Sequence, residues 1–254
     1  INIWATGNVE HTMCNFSDPW TDVEGERSSA KTTHPFLSDS AVRQALNLLV
    51  DRSAVQEQIY GRQGQTSANF LNAPTRVRSS NTRWEFSIDK ANQILDAAGW
   101  KRGADGVRGK DGKRLKVLYQ TATNAPRQKT QQIIKQAAAK AGIEIEIKSV
   151  LASVFFGSDP ANPDNYPHFY ADLQMITEGP TQPDAQYFMN RFVSWEIAGK
   201  ANKWQGRNVT RWRNEEYDRL YRGADDEMDP VKRAAMFIRM NDLVIQNAVT
   251  FPVL

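Results

Sequence analysis

The chain has 254 residues, of which 40% are hydrophobic and 24% are charged, a composition typical of a globular protein. Its 32 basic and 29 acidic residues give a net charge of +3, and the basic side chains are scattered, so the sequence does not indicate a nucleic-acid-binding protein. The single cysteine, Cys14, excludes an intramolecular disulfide and a cysteine-based metal site, and no stretch reaches the roughly 18 apolar residues of a membrane span.

Residues 1–37 show little periodicity and are predicted to be irregular. Beyond them, apolar residues recur at helical spacing between polar caps and glycines, which predicts a series of helices. In chain order, these helices cover residues 38 or 39 to 50, 51–61, 87–98, 126–141, a segment from 184, 214–224 and 230–247. The loop 62–86 is long, and loops of that length usually carry function or wrap another part of the molecule.

Alternating apolar residues predict strands between these helices. Residues 104–123 are predicted to form a hairpin around the turn at Asp111 and Gly112. Further strands are predicted at residues 143–150, 171–176 and 249–254. Strands that alternate with helices indicate an α/β fold, in which helices flank a mixed or mostly parallel sheet.

The sequence offers little for catalysis. Its three histidines, His11, His34 and His168, lie far apart in predicted loops, and none has a second ligand at metal-binding spacing. Neither a G-x-S-x-G nucleophile motif nor a phosphate-binding P-loop is present. Asp159 and Asp164 lie in a loop that lacks the spacing of a known calcium site, so a solvated turn is the simpler interpretation. We therefore predict no catalytic residue, no metal and no cofactor.

One predicted strand end carries a rigid polar loop. The strand at 171–176 is followed by the loop 177–182, and a helix starts around Asp184. In open α/β sheets, ligands bind beyond the carboxyl ends of the strands, and the first N–H groups of the following helix point toward the same space. The candidate ligand-binding residues of this segment are Glu178, Gly179, Thr181, Gln182 and Asp184. The alternative is a plain loop whose aspartate only caps the helix.

Two further segments have the composition of binding surfaces. Residues 119–128 repeat the order of strand, polar loop and helix, with Asn124 and Arg127 at the tip. Residues 195–213 combine tryptophans with arginines, which can stack on a planar or charged ligand. The candidates in this segment are Trp204, Asn208, Arg211 and Trp212. The alternative is a tryptophan-rich surface that another domain covers.

A series of segments follows in a characteristic order along the chain. They are "HPFLSDSAVRQALNLLVDR", "SIDKANQILDAAGW", "DGVRGKDGKRLKV", "GPTQPDAQYF", "GRNVTRWRNEEYDRLY" and "DPVKRAAMFIRMNDLVIQNAVTFPVL". This order resembles the family-5 extracellular solute-binding proteins, which are the peptide, nickel and opine receptors of ABC importers. The resemblance covers most of the chain, from about Asn8 to the end, and the His-Pro and Ala-Gly-Trp segments are specific to the family.

The resemblance implies the second lobe of a type II periplasmic-binding-protein-like fold. Family members have two lobes that close on a ligand around a hinge. We expect residues 1–254 to be a single ligand-binding lobe, without the N-terminal lobe and the C-terminal return segment. A start without a signal-peptide pattern and an end within a predicted strand agree with this expectation. The implied location is periplasmic, or lipid-anchored outside the cytoplasmic membrane.

In the peptide-binding members of this family, an aspartate in the loop that corresponds to 177–182 binds the α-amino group of the peptide. The matching residue here is Thr181, and the nearby Glu178 is a candidate substitute. The resemblance therefore implies a receptor for a peptide or peptide-like solute, with an opine-like or sugar-like solute as the alternative. Because no histidine falls in these loops, nickel and haem are not indicated.

The implied partners are the solute, the permease of an ABC transporter and the missing lobe of the same chain, but no nucleic acid. Two other hypotheses compete with the receptor. One is an α/β hydrolase, for which the sequence supplies few nucleophile and base candidates. The other is a scaffold or signalling module that keeps the receptor fold and passes its closed state to a partner protein.

Overall fold

A computed structural model describes residues 7–254. The strands are β1 (Val9–Cys14), β2 (Lys101–Arg102), β3 (Arg108–Lys110), β4 (Lys113–Arg114), β5 (Lys116–Ala122), β6 (Glu144–Val150), β7 (Leu173–Glu178) and β8 (Thr250–Pro252). The helices are α1 (Ser40–Leu48), α2 (Arg52–Val55), α3 (Ile88–Ala97), α4 (Ala125–Lys140), α5 (Ala152–Phe155), α6 (Ala185–Met189), α7 (Glu215–Asp226) and α8 (Pro230–Gln246).

The main sheet has five strands in the order β6-β5-β7-β1-β8. Strands β6, β5 and β7 run parallel, whereas β1 is antiparallel to both of its neighbours, β7 and β8. The carboxyl ends of β5, β6, β7 and β8 therefore meet the amino end of β1 at one edge, which we call the carboxyl edge. This mixed sheet, flanked by helices, confirms the predicted α/β fold.

The prediction that residues 1–37 are irregular is wrong for Val9–Cys14, and residues 1–6 lie outside the described residues. β1 lies inside the sheet, where Val9 pairs with Glu178 and Thr12 pairs with Phe251. All six of its residues are buried. Because both faces of the strand are covered, its polar and apolar residues do not alternate in the way that predicts a half-buried strand.

The predicted hairpin at 104–123 is also wrong in part. The turn at Asp111 and Gly112 joins β3 to β4, and these two strands form a small three-stranded sheet with β2. β5 is not part of that small sheet, and it pairs over seven residues with β6 in the main sheet. β4 has only two residues, and both are exposed, so pairing with β4 would bury little of β5. Most residues of β5 are buried, and packing in the main sheet therefore determines its pairing.

Helix boundaries agree well with the predictions because the caps are explicit in the sequence. The side chains of Asp39, Ser87, Asn124 and Asp184 each accept a hydrogen bond from a backbone N–H in the first turn of a helix. Such side chains satisfy donors that the helix itself leaves free. The strand predicted at 171–176 runs instead from Leu173 to Glu178, since these are the residues that pair with β1.

Helices cover both faces of the main sheet. On one face, Leu173 and Met175 pack with the apolar residues of α1, α3 and α4. On the other face, Ile176 and Met13 pack with Phe155, in α5. The alternation along β7 follows from the two-residue period of a strand, and it buries the sheet on both sides.

The long loop 62–86 is held in place by α8. The Asn241 side-chain oxygen accepts hydrogen bonds from the backbone N–H groups of Phe70 and Leu71, at 3.0 and 3.1 Å. A buried amide that satisfies two backbone donors fixes the path of the loop. This path brings one side of the loop to the carboxyl edge.

Candidate functional site

The carboxyl edge holds a polar network that joins three segments distant in sequence. Arg127 Nε donates to Glu10 Oε1 at 2.8 Å, and Arg127 Nη2 donates to Thr177 Oγ1 at 2.7 Å. Thr177 Oγ1 in turn donates to Glu10 Oε2. Asn124 caps α4 by accepting from the backbone N–H of Arg127, which starts the helix just beyond β5. The predicted pair Asn124 and Arg127 therefore lies at the edge, beside two residues that the sequence did not nominate.

This network faces a cleft of about 580 Å³ that we call the edge cleft. Its lining consists of Gly7, Asn8, Glu10, Tyr60, Arg62, Gln63, Gly64, Gln65, Thr66, Ser67, Asn72, Arg78, Thr177 and Leu254. Burial raises the pKa of the Tyr60 phenol, and the Glu10 carboxylate raises it further. Tyr60 therefore stays neutral and can donate or accept a hydrogen bond. The cleft lies where an open α/β sheet places its ligands.

Glu178, at the end of β7, is held by two cationic or potentially cationic groups. Arg191 Nη1 lies 2.6 Å from Glu178 Oε1, and His11 Nε2 lies 3.3 Å from Glu178 Oε2. Burial alone would raise the pKa of Glu178, but Arg191 and His11 outweigh burial and hold the pKa below its usual value. Glu178 is thus an ionised carboxylate with both oxygens already in contact with partners.

In the loop after β7, the backbone at Gly179 lies very close to the Asn8 side chain. A Cβ on Gly179 would lie 1.8 Å from Asn8 Oδ1, so only glycine fits while Asn8 keeps its position. Thr181 and Gln182 are exposed beyond it. Asp184 Oδ2 pairs with Arg233 Nη1 at 2.9 Å and lines a separate cleft of 390 Å³. The predicted residues of this loop therefore divide between the carboxyl edge and a second surface.

The tryptophan-rich segment contributes side chains to the interior. Asn208 Nδ2 donates to the backbone carbonyls of Val193 and Trp212 at 3.1 and 2.9 Å. Trp212 is 5% exposed and packs edge-on against Tyr217, at a ring-centroid distance of 5.5 Å. Since these side chains have partners within the chain, their contacts describe the fold of the segment. Their assignment to ligand binding stays a prediction.

Arg211 is likewise buried, and Trp204 is half-buried. Arg211 donates to the backbone carbonyls of Ser28, Pro167 and His168 at 3.0 to 3.1 Å. Burial lowers the pKa of Arg211 to about 10, so the guanidinium remains charged at neutral pH. The Trp204 ring lies 4.1 Å from the His168 ring. Like Asn208 and Trp212, these two residues remain predicted rather than observed ligand contacts.

Asn208→Ala separates the two roles of this segment. The substitution leaves two buried carbonyls without their donor, so we expect the free energy of unfolding to fall by about 1–3 kcal/mol. Urea denaturation measures this change, and ligand titration of the full-length protein measures the affinity. These contacts lead us to expect a loss of stability. A fall in ligand affinity without a loss of stability would contradict that expectation and would indicate that Asn208 binds the ligand.

The described part of the chain offers neither a metal cluster nor a membrane span. Among residues 7–254, no three His, Cys, Asp or Glu side chains lie together as possible metal ligands. Asp164, a candidate for calcium on composition, is paired instead with Lys148 at 2.5 Å. No helix in the same residues combines the length and apolarity needed to cross a membrane.

Known proteins share sequence and fold with this chain. The model of the bacterial extracellular solute-binding proteins, family 5 (middle), matches residues 5–200. Over 201 residues, the chain is 29% identical to the oligopeptide-binding protein AppA of Bacillus subtilis, and the match covers 75% of this chain and 34% of AppA. The chain therefore spans about a third of the length of this curated relative.

Solved structures share the fold at low sequence identity. One is the oligopeptide-binding protein from Thermus thermophilus complexed with a pentapeptide, with a TM-score of 0.80, 22% identity and coverage of 97% of this chain and 41% of that one. Another is NikZ from Campylobacter jejuni in complex with Ni(L-His), with a TM-score of 0.77, 21% identity and coverage of 98% and 45%. These similarities confirm the fold expected from the sequence. Since the family model matches more than half of its length, the chain belongs to the bacterial extracellular solute-binding proteins of family 5.

Proposed function

We propose that the chain is one lobe of a receptor that binds a peptide or peptide-like solute at the carboxyl edge. The observation that carries this proposal is the network of Glu10, Arg127 and Thr177, which presents fixed polar groups to the edge cleft. Polar groups that are already ordered reduce the cost of fixing them when a ligand binds. The peptide preference draws support from the oligopeptide-binding relatives from Bacillus subtilis and Thermus thermophilus.

A second lobe would complete the site. The chain covers 41% and 45% of two solved relatives, so each of those proteins has more chain than the part described here. We propose that residues 1–254 form a single lobe and that the remainder of the protein closes over its carboxyl edge. A solute that contacts both lobes favours the closed form because it binds that form more tightly than the open one.

Membership of the family supports a further proposal about delivery of the solute to a membrane permease. As a family-5 solute-binding protein, the chain is not an enzyme, so binding and release constitute its activity. We propose that the closed receptor docks on the permease of an ABC importer. The corresponding location is the periplasm, or a lipid anchor outside the cytoplasmic membrane.

Recognition of a peptide amino group needs a carboxylate near the loop after β7. The position matched to the family aspartate is occupied by Thr181, which has no carboxylate. Glu178 lies nearby in sequence and is the candidate for binding the amino group. Glu178 is contacted by Arg191 and His11. To hold a ligand ammonium, Glu178 would therefore exchange one of these contacts for the ligand.

Arg127→Lys tests the proposed site in the full-length protein. Lysine keeps a positive charge beside Glu10 but loses the planar fork that reaches Glu10 and Thr177 together. We expect affinity to fall about tenfold for the solute that native mass spectrometry finds bound to the full-length protein. Arg239→Lys is the matched control, because Arg239 forms an exposed pair with Glu216.

Unchanged affinity in Arg127→Lys would contradict the placement of the site at this edge. A bound solute that is not a peptide would keep the receptor mechanism and shift the solute to another class. A full-length protein that is empty and also ignores a solute library would contradict the receptor proposal itself, and retained binding of a partner protein would then favour the scaffold hypothesis.

A further inference from the structure

The separate cleft of about 390 Å³ that Asp184 lines lies between the start of α6 and the turn that joins α7 to α8, and we call it the turn groove. Its third wall is the loop 62–86, of which Pro74 and Val77 line the turn groove. Asn72 and Arg78 of the same loop line the edge cleft. The two openings therefore share one stretch of loop, which puts the turn groove next to the proposed ligand site.

The floor of the turn groove is apolar. Pro230, Ala234 and Phe237 line it, and because they are three or four residues apart in α8, they lie on one face of that helix. Met228, which also lines the groove, is 90% exposed, and Val231 beside it is 77% exposed. Large apolar side chains that remain exposed next to an apolar cleft are typical of a surface that a partner covers.

The rim of the turn groove is acidic. Residues 225–229 hold four carboxylates and no basic side chain. Asp225 and Asp226 are exposed, and within residues 7–254 neither carboxylate has an ion-pair partner. Glu227 and Asp229 accept hydrogen bonds from backbone N–H groups, which carry no net charge. The turn therefore presents uncompensated negative charge around the exposed methionine.

The basic residues that line the groove lie against a different carboxylate. Arg233 Nη1 lies 2.9 Å from Asp184 Oδ2. Burial alone would raise the pKa of Asp184, but its hydrogen bond with Arg233 and the charge of Arg76 contribute to holding that pKa below its usual value. Arg222 and Lys232, on either side of the turn in sequence, do not line the groove. The carboxylates of the turn consequently give the rim its negative sign.

These features define the chemistry of the fitting partner. A negative rim around an apolar floor is complementary to a segment that carries positive charge and an apolar anchor. The chain as a whole has a net charge of +3, so the acidity is local to this surface. An anionic membrane surface would repel the turn, which excludes lipid as the fitting occupant. A protein loop with Lys or Arg beside a large apolar side chain supplies both kinds of contact.

We infer that the turn groove docks a basic loop of the permease, whose cations pair with Asp225 and Asp226 and whose apolar anchor packs on Met228 and the floor of the groove. This inference rests on the proposed function and deepens it, because it names the surface through which the receptor delivers its solute. Since the loop 62–86 borders both openings, the docking surface lies where closure over the carboxyl edge changes what the permease meets.

The test uses the full-length receptor, loaded with the solute that native mass spectrometry finds bound to it, and the importer that transports this solute, reconstituted in lipid nanodiscs. The rate of ATP hydrolysis is measured against receptor concentration. Asp225→Lys combined with Asp226→Lys should raise the half-saturating receptor concentration at least about tenfold. Met228→Gln should raise it as well, because it removes an exposed apolar side chain without creating a cavity. Calorimetric titration should show unchanged solute affinity in both variants.

Two matched controls accompany these variants. Asp89→Lys combined with Glu146→Lys makes the same change in net charge at exposed residues that line neither the turn groove nor the edge cleft. Leu151→Gln removes an apolar side chain that is 66% exposed at another site. Both controls should stimulate ATP hydrolysis at the same receptor concentration as the unmodified receptor.

The other outcomes overturn the inference in distinguishable ways. An unchanged ATPase response in either groove variant, or equal losses in variants and controls, overturns the docking surface but leaves the receptor proposal standing. A loss of solute affinity in the Asp225 and Asp226 variant assigns the groove to the second lobe and overturns the permease as its occupant. If the unmodified receptor binds its solute without stimulating the importer, delivery and this inference fail together. Absence of solute binding overturns the receptor proposal itself, and the inference fails with it.

Discussion

Arg191→Met is expected to lower the free energy of unfolding by roughly 3–5 kcal/mol, because it removes the principal partner of a largely buried carboxylate. Arg191 Nη1 lies 2.6 Å from Glu178 Oε1, and the two side chains are 16% and 10% exposed. Methionine fills much of the same space, so the loss is mainly electrostatic. Urea denaturation at pH 7, followed by circular dichroism, measures the change.

The double variant Glu178→Gln with Arg191→Met isolates the pair. If the ion pair is the cause, the double variant is less destabilised than the sum of the two single variants. Glu216→Gln is the control, since Glu216 pairs with Arg239 at an exposed site, and we expect no measurable change there. Equal losses in Arg191→Met and the control would contradict the assigned cause.

The same pair predicts a pH dependence. Because the folded protein lowers the pKa of Glu178, its carboxylate binds protons less readily in the folded than in the unfolded state. The resulting stability is fully present above the unfolded pKa of about 4.3 and is lost as the pH falls through the lower folded value. The stability difference between the unmodified protein and Glu178→Gln should therefore be largest at neutral pH and shrink below about pH 4. A difference that grows on acidification would contradict this sign.

Gly206→Ala is the second substitution for which we expect a large loss of stability, at or above the upper end of the roughly 1–3 kcal/mol typical of overpacking. A Cβ at this position would lie 2.3 Å from the carbonyl oxygen of Glu196, 2.7 Å from the carbonyl carbon of Ile197 and 2.8 Å from the amide nitrogen of Ala198. All three atoms belong to the backbone, so no side-chain rotation relieves the collision.

Gly223→Ala provides a matched control for Gly206→Ala. Gly223 lies within α7, and its added Cβ would meet only the end of the Met236 side chain, at 3.7 Å. Alanine restricts the unfolded chain more than glycine does, so this variant should gain about 0.4–1 kcal/mol. Thermal and urea unfolding of the two variants should move in opposite directions. A stable Gly206→Ala would mean that the segment 195–213 packs differently from the arrangement described.

Local signals explain why most helices could be predicted from the sequence. Asp39, Ser87 and Asn124 are caps followed by apolar residues at helical spacing, and these features act within a few residues of each other. β1 lacks such a signal because its environment is set by β7 and β8, which come from the other half of the chain. A strand whose neighbours are distant in sequence is therefore difficult to predict from local sequence patterns.

The site shows the same division. Asn124 and Arg127 were predicted because strand, polar loop and helix follow directly in sequence. Glu10 and Thr177 were not predicted, since their importance arises only when β1 and β7 lie side by side. The tryptophan-rich segment was selected by composition, but composition does not distinguish an exposed Trp–Arg surface from residues such as Trp212 that pack inside.

The position of β1 has a consequence for biosynthesis. Its residues are synthesised before the rest of the described sheet, yet they pair with residues 173–178 and 250–252. Contacts between such distant segments form slowly because a long loop must close first. As the chain leaves the ribosome, β5, α4 and β6 can associate early, whereas β7 has an unpaired edge until β1 inserts beside it. An exposed strand edge invites pairing with other chains, and this exposure lasts until β1, β7 and β8 have come together.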